Sequence, residues 1–178
     1  MREADLSAMI VPFYLDKIPN TSGEKISQIW QWSFQRLEAS HSYIQWLFPL
    51  KEKSAYSPYA PLLTDEVISQ FHSNSQLQEN LSRSFSLMLD FYGLQMNRNP
   101  VSQQVEITRG VSFGERAKGW LTNRNHNYLR LTRILKSLSL LGKKAEARSF
   151  YHCLKEIYAE YSDIIGEITF NYWSNAIV

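Results

Sequence analysis

The chain has 178 residues, 44% of them hydrophobic, with 5 Trp, 10 Tyr and 9 Phe and a formal net charge of +2. This composition excludes a disordered chain, and the length predicts one domain with a sizeable core. No apolar run reaches the roughly 18 residues of a transmembrane segment, and the start, MREADLSAMIVPFYLDK, carries acids where a secretory leader would be basic. The single cysteine, Cys153, allows no intrachain disulfide and supplies no zinc-finger ligand set. A soluble, cytoplasmic protein without a cofactor or structural metal is expected.

Residues 1–23 read as an irregular lead-in punctuated by Pro12, Pro19 and Gly23, whose apolar patch (Ile10, Val11, Phe13, Tyr14) docks on a body formed by residues 24–178. From Ile26 the period becomes helical. Ile26, Ile29, Trp30, Phe34, Leu37, His41, Ile44, Leu47 and Phe48 share one arc at about 100° per residue, which predicts one long helix, or two with a break near Ala39 and Ser40. Pro49 ends that segment, and a loop from Lys51 to Leu63, with Pro58 and Pro61, follows. Thr64 then caps a short helix to about Phe71, with Asp65 and Glu66 in its first turn.

Leu77, Leu81, Phe85, Met88 and Tyr92 mark the next helix, stopped by Gly93. Residues 94–111 are the least helical: Asn97 to Pro100 forms a turn, and Val101, Val105 and Ile107 alternate loosely with polar residues as in a short strand or extended loop. Ser112 and Glu115 form a capping-box pattern for a helix through Trp120. The stretch NRNHNYLRLTRILKSLSLLG, 123–142, reads as an amphipathic helix at about 125–141. Beyond Gly142 lie a one-sided helix (Ala147, Phe150, Tyr151, Leu154, Ile157, Tyr158, Tyr161) and a last one, Asp163 to about Ala176, capped by Ser162. The expectation is an all-α, single-domain bundle of about six or seven helices around the 125–141 helix.

That central helix has two apolar faces. Tyr128, Leu131, Ile134, Leu135, Leu138 and Leu141 cover one, and Leu129, Arg133, Lys136 and Leu140 the other. Leucines on both faces place a helix inside a bundle, so Arg133 and Lys136 should be partly enclosed and need partners, with Glu38 and Asp90 as candidates. The functional alternative is that Arg130, Arg133 and Lys136, with Arg124 or Lys118, line a pocket for an acidic peptide, a phosphate or a carboxylate. From Arg116 to Arg148 nine basic residues stand against one acid, Glu146, a local charge of +8, whereas residues 149–178 carry −3.

Asn123, Asn125 and Asn127 bracket the start of the helix, one of them as its cap, with His126 beside them. His41 sits on the apolar arc between Leu37 and Ile44, so a satisfied core histidine is the simpler reading. Glu38 or the 123–127 cluster could satisfy it. The four histidines (His41, His72, His126, His152) lack HxxxH or HExxH spacing, which points to no metal site.

Four stretches, HSYIQWLFP (41–49), APLLT (60–64), LDFYGL (89–94) and NHNYLRLTRILKSLSLLG (125–142), resemble the conserved region of the opioid growth factor receptor family. The resemblance runs from about Phe13 to Ala176. It implies an all-α domain, described in animals as an enkephalin-peptide receptor linked to growth control and found around and within the nucleus. It implies no catalytic residues. A chain of this length resembles the short microbial members. After Phe13 and Tyr14 the family's usual Arg-Gly pair is replaced by Leu15 and Asp16, and its Asn before Ala60-Pro61 by Tyr56 or Ser57.

Three functions follow as expectations. The first is a non-catalytic binding module, in which the basic helix and the aromatics Trp32, Tyr43, Trp46 and Trp120 hold a peptide or protein ligand; packing against another helix is the alternative role of that aromatic face. The second is nucleic-acid or phosphate binding through residues 116–148. The third is an enzyme using His41 and His126 with Glu38, Asp90 and Arg130. The candidate site residues are thus His41, Asn125, His126, Arg130, Arg133 and Lys136. Nothing in the sequence indicates an oligomeric state.

Overall fold

The computed structural model describes residues 3–54, 57 and 59–177; Tyr56 and Pro58 lie outside the described residues. Two compact units, Met1–Phe85 and Ser86–Val178, divide the chain.

In the first unit the stretch read as an irregular lead-in holds two short helices, α1 (Glu3–Ala8) and α2 (Ile10–Tyr14). Ile10, Phe13 and Tyr14 are fully buried. Phe13 meets Trp46 edge-on at 5.2 Å and Tyr14 meets Phe71 at 4.7 Å, so the apolar patch forms part of the core. The Tyr14 hydroxyl donates to the Leu47 carbonyl, and the Tyr14 carbonyl accepts from Asn80 Nδ2 at 2.6 Å. Asp16 has φ 58 at a position where the family resemblance implies Gly. Asp is among the few residues that enter the left-handed region readily, and its Oδ1 accepts from the Ser27 amide at 3.2 Å.

The arc from Ile26 to Phe48 is not one helix or two but three: α3 (Ile26–Ile29), α4 (Phe34–Ala39) and α5 (Tyr43–Leu47). One break falls at Ser40, which is extended (φ −92, ψ 142), as the sequence suggested. The other follows Trp30, where Ser33 is extended and its hydroxyl accepts from the Arg36 amide, starting a new helix. Each break resets the helical phase, so His41, expected on a buried arc, is exposed. α6 (Asp65–Ser73) begins as expected, with the Thr64 hydroxyl accepting from the Val67 amide at 3.2 Å.

α7 (Ser75–Tyr92) starts from Asn74, whose Oδ1 accepts from the Gln76 and Leu77 amides. Leu77 and Leu81 belong to the first unit's core, and Met88 and Tyr92 to the second's; all four are fully buried. Gly93 follows with φ 76, and a Cβ there would lie 2.7 Å from the Phe113 Cα, so only glycine fits.

The fold is mostly helical rather than all-α, and it has more helices than six or seven. Residues 94–109 form a hairpin, β1 (Leu94–Arg98) antiparallel to β2 (Val105–Arg109), in register Met96↔Ile107. Val105 and Ile107 are buried, and Asn99 Oδ1 caps the turn through the Val101 and Ser102 amides. α8 (Phe113–Trp120) follows. Ser112 is itself helical and makes no side-chain cap, so the expected capping box does not form; Glu115 pairs instead with Lys118 at 2.7 Å.

α9 (Asn127–Leu140) is the amphipathic helix, and α10 (Lys144–Ile165) packs against α9, β2 and α11 (Glu167–Asn175). The turn into α11 lies at Gly166 (φ 82), not at Ser162, which stays inside α10 beyond an irregular Tyr161 (φ −123, ψ 29). α11 is held by Trp173, fully buried, whose indole N–H donates to the Tyr128 carbonyl at 3.2 Å. Phe170 stacks on Tyr158 with ring centres 4.2 Å apart.

Candidate functional site

The entry to α9 is fixed by asparagines. Asn125 Nδ2 donates to the Gly119 carbonyl at 3.2 Å and to Thr122 Oγ1 at 2.9 Å, tying the loop back to the end of α8. Its Oδ1 accepts from the Asn127 backbone at 2.9 Å and from Asn127 Nδ2 at 3.0 Å. Asn125 therefore supplies the cap, although His126 occupies the position next to the first helical residue. Asn127, fully buried, offers its Oδ1 to Tyr92 OH at 3.4 Å and Arg130 Nη1 at 3.3 Å. The Tyr128 hydroxyl, whose pKa burial pushes up to about 12, donates to the Thr122 carbonyl at 2.9 Å. A short buried polar network thus sets the path of residues 119–128.

The basic segment is not one exposed stripe. Arg130 is only 5% exposed, so it belongs to that network rather than to the surface. Arg133, Lys136 and Leu140 are half-buried and Leu129 is half exposed, so the second face of α9 is partly open. Arg116 donates to the Phe91 carbonyl, Lys118 pairs with Glu115, and Lys143 lies 3.9 Å from buried Glu146, which also takes Arg98 at 2.6 Å. Asp90, a candidate internal partner, is exposed, and Glu38 is half-buried in the first unit.

Arg124 differs from its neighbours. It is exposed, has φ 55, and among the described residues its guanidinium has no hydrogen bond or ion pair. It lines an open groove of about 770 Å³ with Asn123 and residues 163–169. The opposite wall is the α10–α11 elbow, presenting Ile164 and Ile168 beside Asp163 and Glu167. Ile168 is 75% exposed and Tyr172, one turn on, 57%, leaving an apolar edge open to solvent. The left-handed backbone of Arg124 gave no signal in the sequence; its position in the Asn-rich entry was the only pointer.

A second groove, about 870 Å³, runs between the hairpin and α10 past Arg98, Glu106, Arg148, His152 and Glu156. Cys153 lines it but is buried, and burial together with nearby Glu156 raises its pKa to about 12, so it stays an unreactive thiol. Trp32, Tyr43, Trp46 and Trp120 are buried, so the aromatic face packs rather than forming an exposed platform. His41 and His126 are both exposed. Among the described residues no group of three or more His, Cys, Asp or Glu could hold a metal ion, and no helix is long and apolar enough to cross a membrane.

The opioid growth factor receptor conserved region matches residues 4–177. The chain belongs to that family. It is 43% identical to the opioid growth factor receptor of Mus musculus over 120 residues, 67% of this chain and 18% of the relative. The Homo sapiens receptor is 42% identical over 119 residues, 67% and 17%, and opioid growth factor receptor-like protein 1 of Xenopus tropicalis 37% over 134, 73% and 25%. The matched part thus spans a quarter or less of these family relatives. No solved structure matches.

Proposed function

We propose that this family member is a non-catalytic binding domain that holds a peptide segment in the groove between the α9 entry and the α10–α11 elbow. The observation that carries the reading is the pairing, in one groove, of an unengaged cation, Arg124, with exposed apolar side chains, Ile168 foremost. Apolar surface supplies affinity and a few placed polar groups supply orientation, the usual composition of a binding site. The relatives' own name, opioid growth factor receptor, is consistent with a peptide ligand. A cytoplasmic location, nuclear or perinuclear in a eukaryote, belongs to the same proposal.

Arg116, Lys118, Arg130 and Lys143 are drawn into a backbone bond, ion pairs and the buried network, which interrupts the continuous basic face that nucleic acid needs and favours a peptide. Of the candidate residues, Asn125 and Arg130 position the loop. Arg133, Lys136, His41 and His126 stay outside the groove as proposed. Calorimetric titration against peptide libraries tests the proposal: wild type should bind a subset that Ile168→Asp does not. Silence from folded protein, or retention on heparin that vanishes at modest salt, would count against it.

A further inference from the structure

Arg124, Asp163 and Glu167 line one groove, all three exposed, yet Arg124 lies beyond 4.0 Å of either carboxylate, since no ion pair joins them. Two other surface pairs of this unit do meet: Arg109 grips Glu160 through two hydrogen bonds of 2.6 and 2.9 Å, and Lys118 takes Glu115. Among the described residues none of the three groove charges has a hydrogen-bonding or ionic partner. The cation is held on one wall by a loop whose course Asn125 fixes, and the carboxylates on the other by the elbow at Gly166. Two backbone turns therefore set the two walls, and Ile164 and Ile168 stand beside the carboxylates on the elbow.

A ligand that filled this groove with an acid alone would meet two carboxylates, and a base alone would meet Arg124. We infer that the groove selects a dipolar segment: an acidic group against Arg124, a basic group against Asp163 and Glu167, and an apolar side chain on Ile168. The inference rests on the peptide-binding reading and names the class of peptide. The two turns fix the backbone beneath Arg124 and the carboxylates, so the groove presents opposite charges on opposite walls, and charge complementarity is the source of specificity. A segment of uniform charge is disfavoured by repulsion from one wall, so the same geometry excludes wrong partners.

Four acetylated, amidated hexapeptides test it, each with a Leu-Phe centre and flanked by Glu and Lys, by Gln and Lys, by Glu and Gln, or by two Gln. Heteronuclear NMR of the Ile168 methyl reads the dissociation constants, with circular dichroism as the check on folding. The Glu and Lys peptide should bind tightest, each neutralisation weakening it about two- to fivefold, as expected for exposed ion pairs. Arg124→Gln should abolish the preference for Glu and leave that for Lys; Asp163→Asn with Glu167→Gln should do the reverse. Equal binding of all four peptides by wild type overturns this inference and leaves the groove reading standing. Binding by none of them overturns the inference too, and the library titration then decides the groove.

Discussion

Asn125 and Asn127 are joined twice, the Asn125 Oδ1 accepting both the backbone N–H and the side-chain Nδ2 of Asn127 at 2.9 and 3.0 Å. Asn127 in turn offers its own Oδ1 to Tyr92 and Arg130 in a site without solvent exposure. Asn127→Ala removes an acceptor from a buried cation and a buried phenol together, and should destabilise the protein by about 2–4 kcal/mol. Asn125→Ala, which loses a cap nearer the surface, should cost about 1 kcal/mol. Urea unfolding curves of the two variants rank them; equal midpoints would contradict the network.

Arg124 is one of three non-glycine residues with positive φ, the others being Asp16 and Gln103, among the described residues. A left-handed conformation costs an L-residue about 1–2 kcal/mol, partly offset in a glycine variant by the greater freedom of its unfolded chain. Arg124→Gly should therefore raise stability by about 0.5–1 kcal/mol while weakening peptide binding. Thermal unfolding and titration on the same sample check both signs, and a variant that loses stability would show that the arginine side chain packs productively.

Gly93 stands between α7 and β1, where a Cβ would meet Phe113 Cα at 2.7 Å and Arg116 Cβ at 2.9 Å. Gly93→Ala should cost about 2–3 kcal/mol through forced displacement added to backbone strain. Loss of the β1–β2 amide protection in hydrogen exchange, beyond what global destabilisation explains, would locate the damage at the hairpin.

Asp90 lies in the last turn of α7, exposed yet partly covered, and that partial desolvation raises its carboxyl above its ordinary value. A folded pKa above the unfolded one means that the ionised form is disfavoured by folding, so the penalty is present at neutral pH and fades as pH falls through the folded pKa towards the unfolded one. The C-terminal end of the helix dipole acts in the same direction. Asp90→Asn should thus unfold at higher temperature than wild type at pH 7 and at the same temperature near pH 3. A pH-independent difference would point to packing instead.

The long periodic helices were legible because burial there follows local spacing: Leu77, Leu81, Phe85 and Met88 need only the 3.6 period to be placed. The three-way division of residues 26–48 was not, because it turns on the Ser33 hydroxyl reaching the Arg36 amide, a choice that the apolar pattern does not record. His41 was misplaced for the same reason. The hairpin was half visible: Val105 and Ile107 alternate, but β1 offers only Leu94 as a fully buried partner, and its pairing depends on contacts distant in sequence. At the candidate site, the Asn-rich entry and the capping role of an asparagine could be read. The burial of Arg130 and the left-handed turn at Arg124 could not, since both follow from the path that Asn125 imposes.

Trp173 gives its indole N–H to the carbonyl of Tyr128 and lays its ring against that residue at 5.9 Å, bridging 45 positions of sequence. A chain emerging from the ribosome has α9 long before it has this tryptophan. Until residue 173 clears the exit tunnel, the Tyr128 side of α9 is without its cover, so the second unit cannot complete its folding before that point.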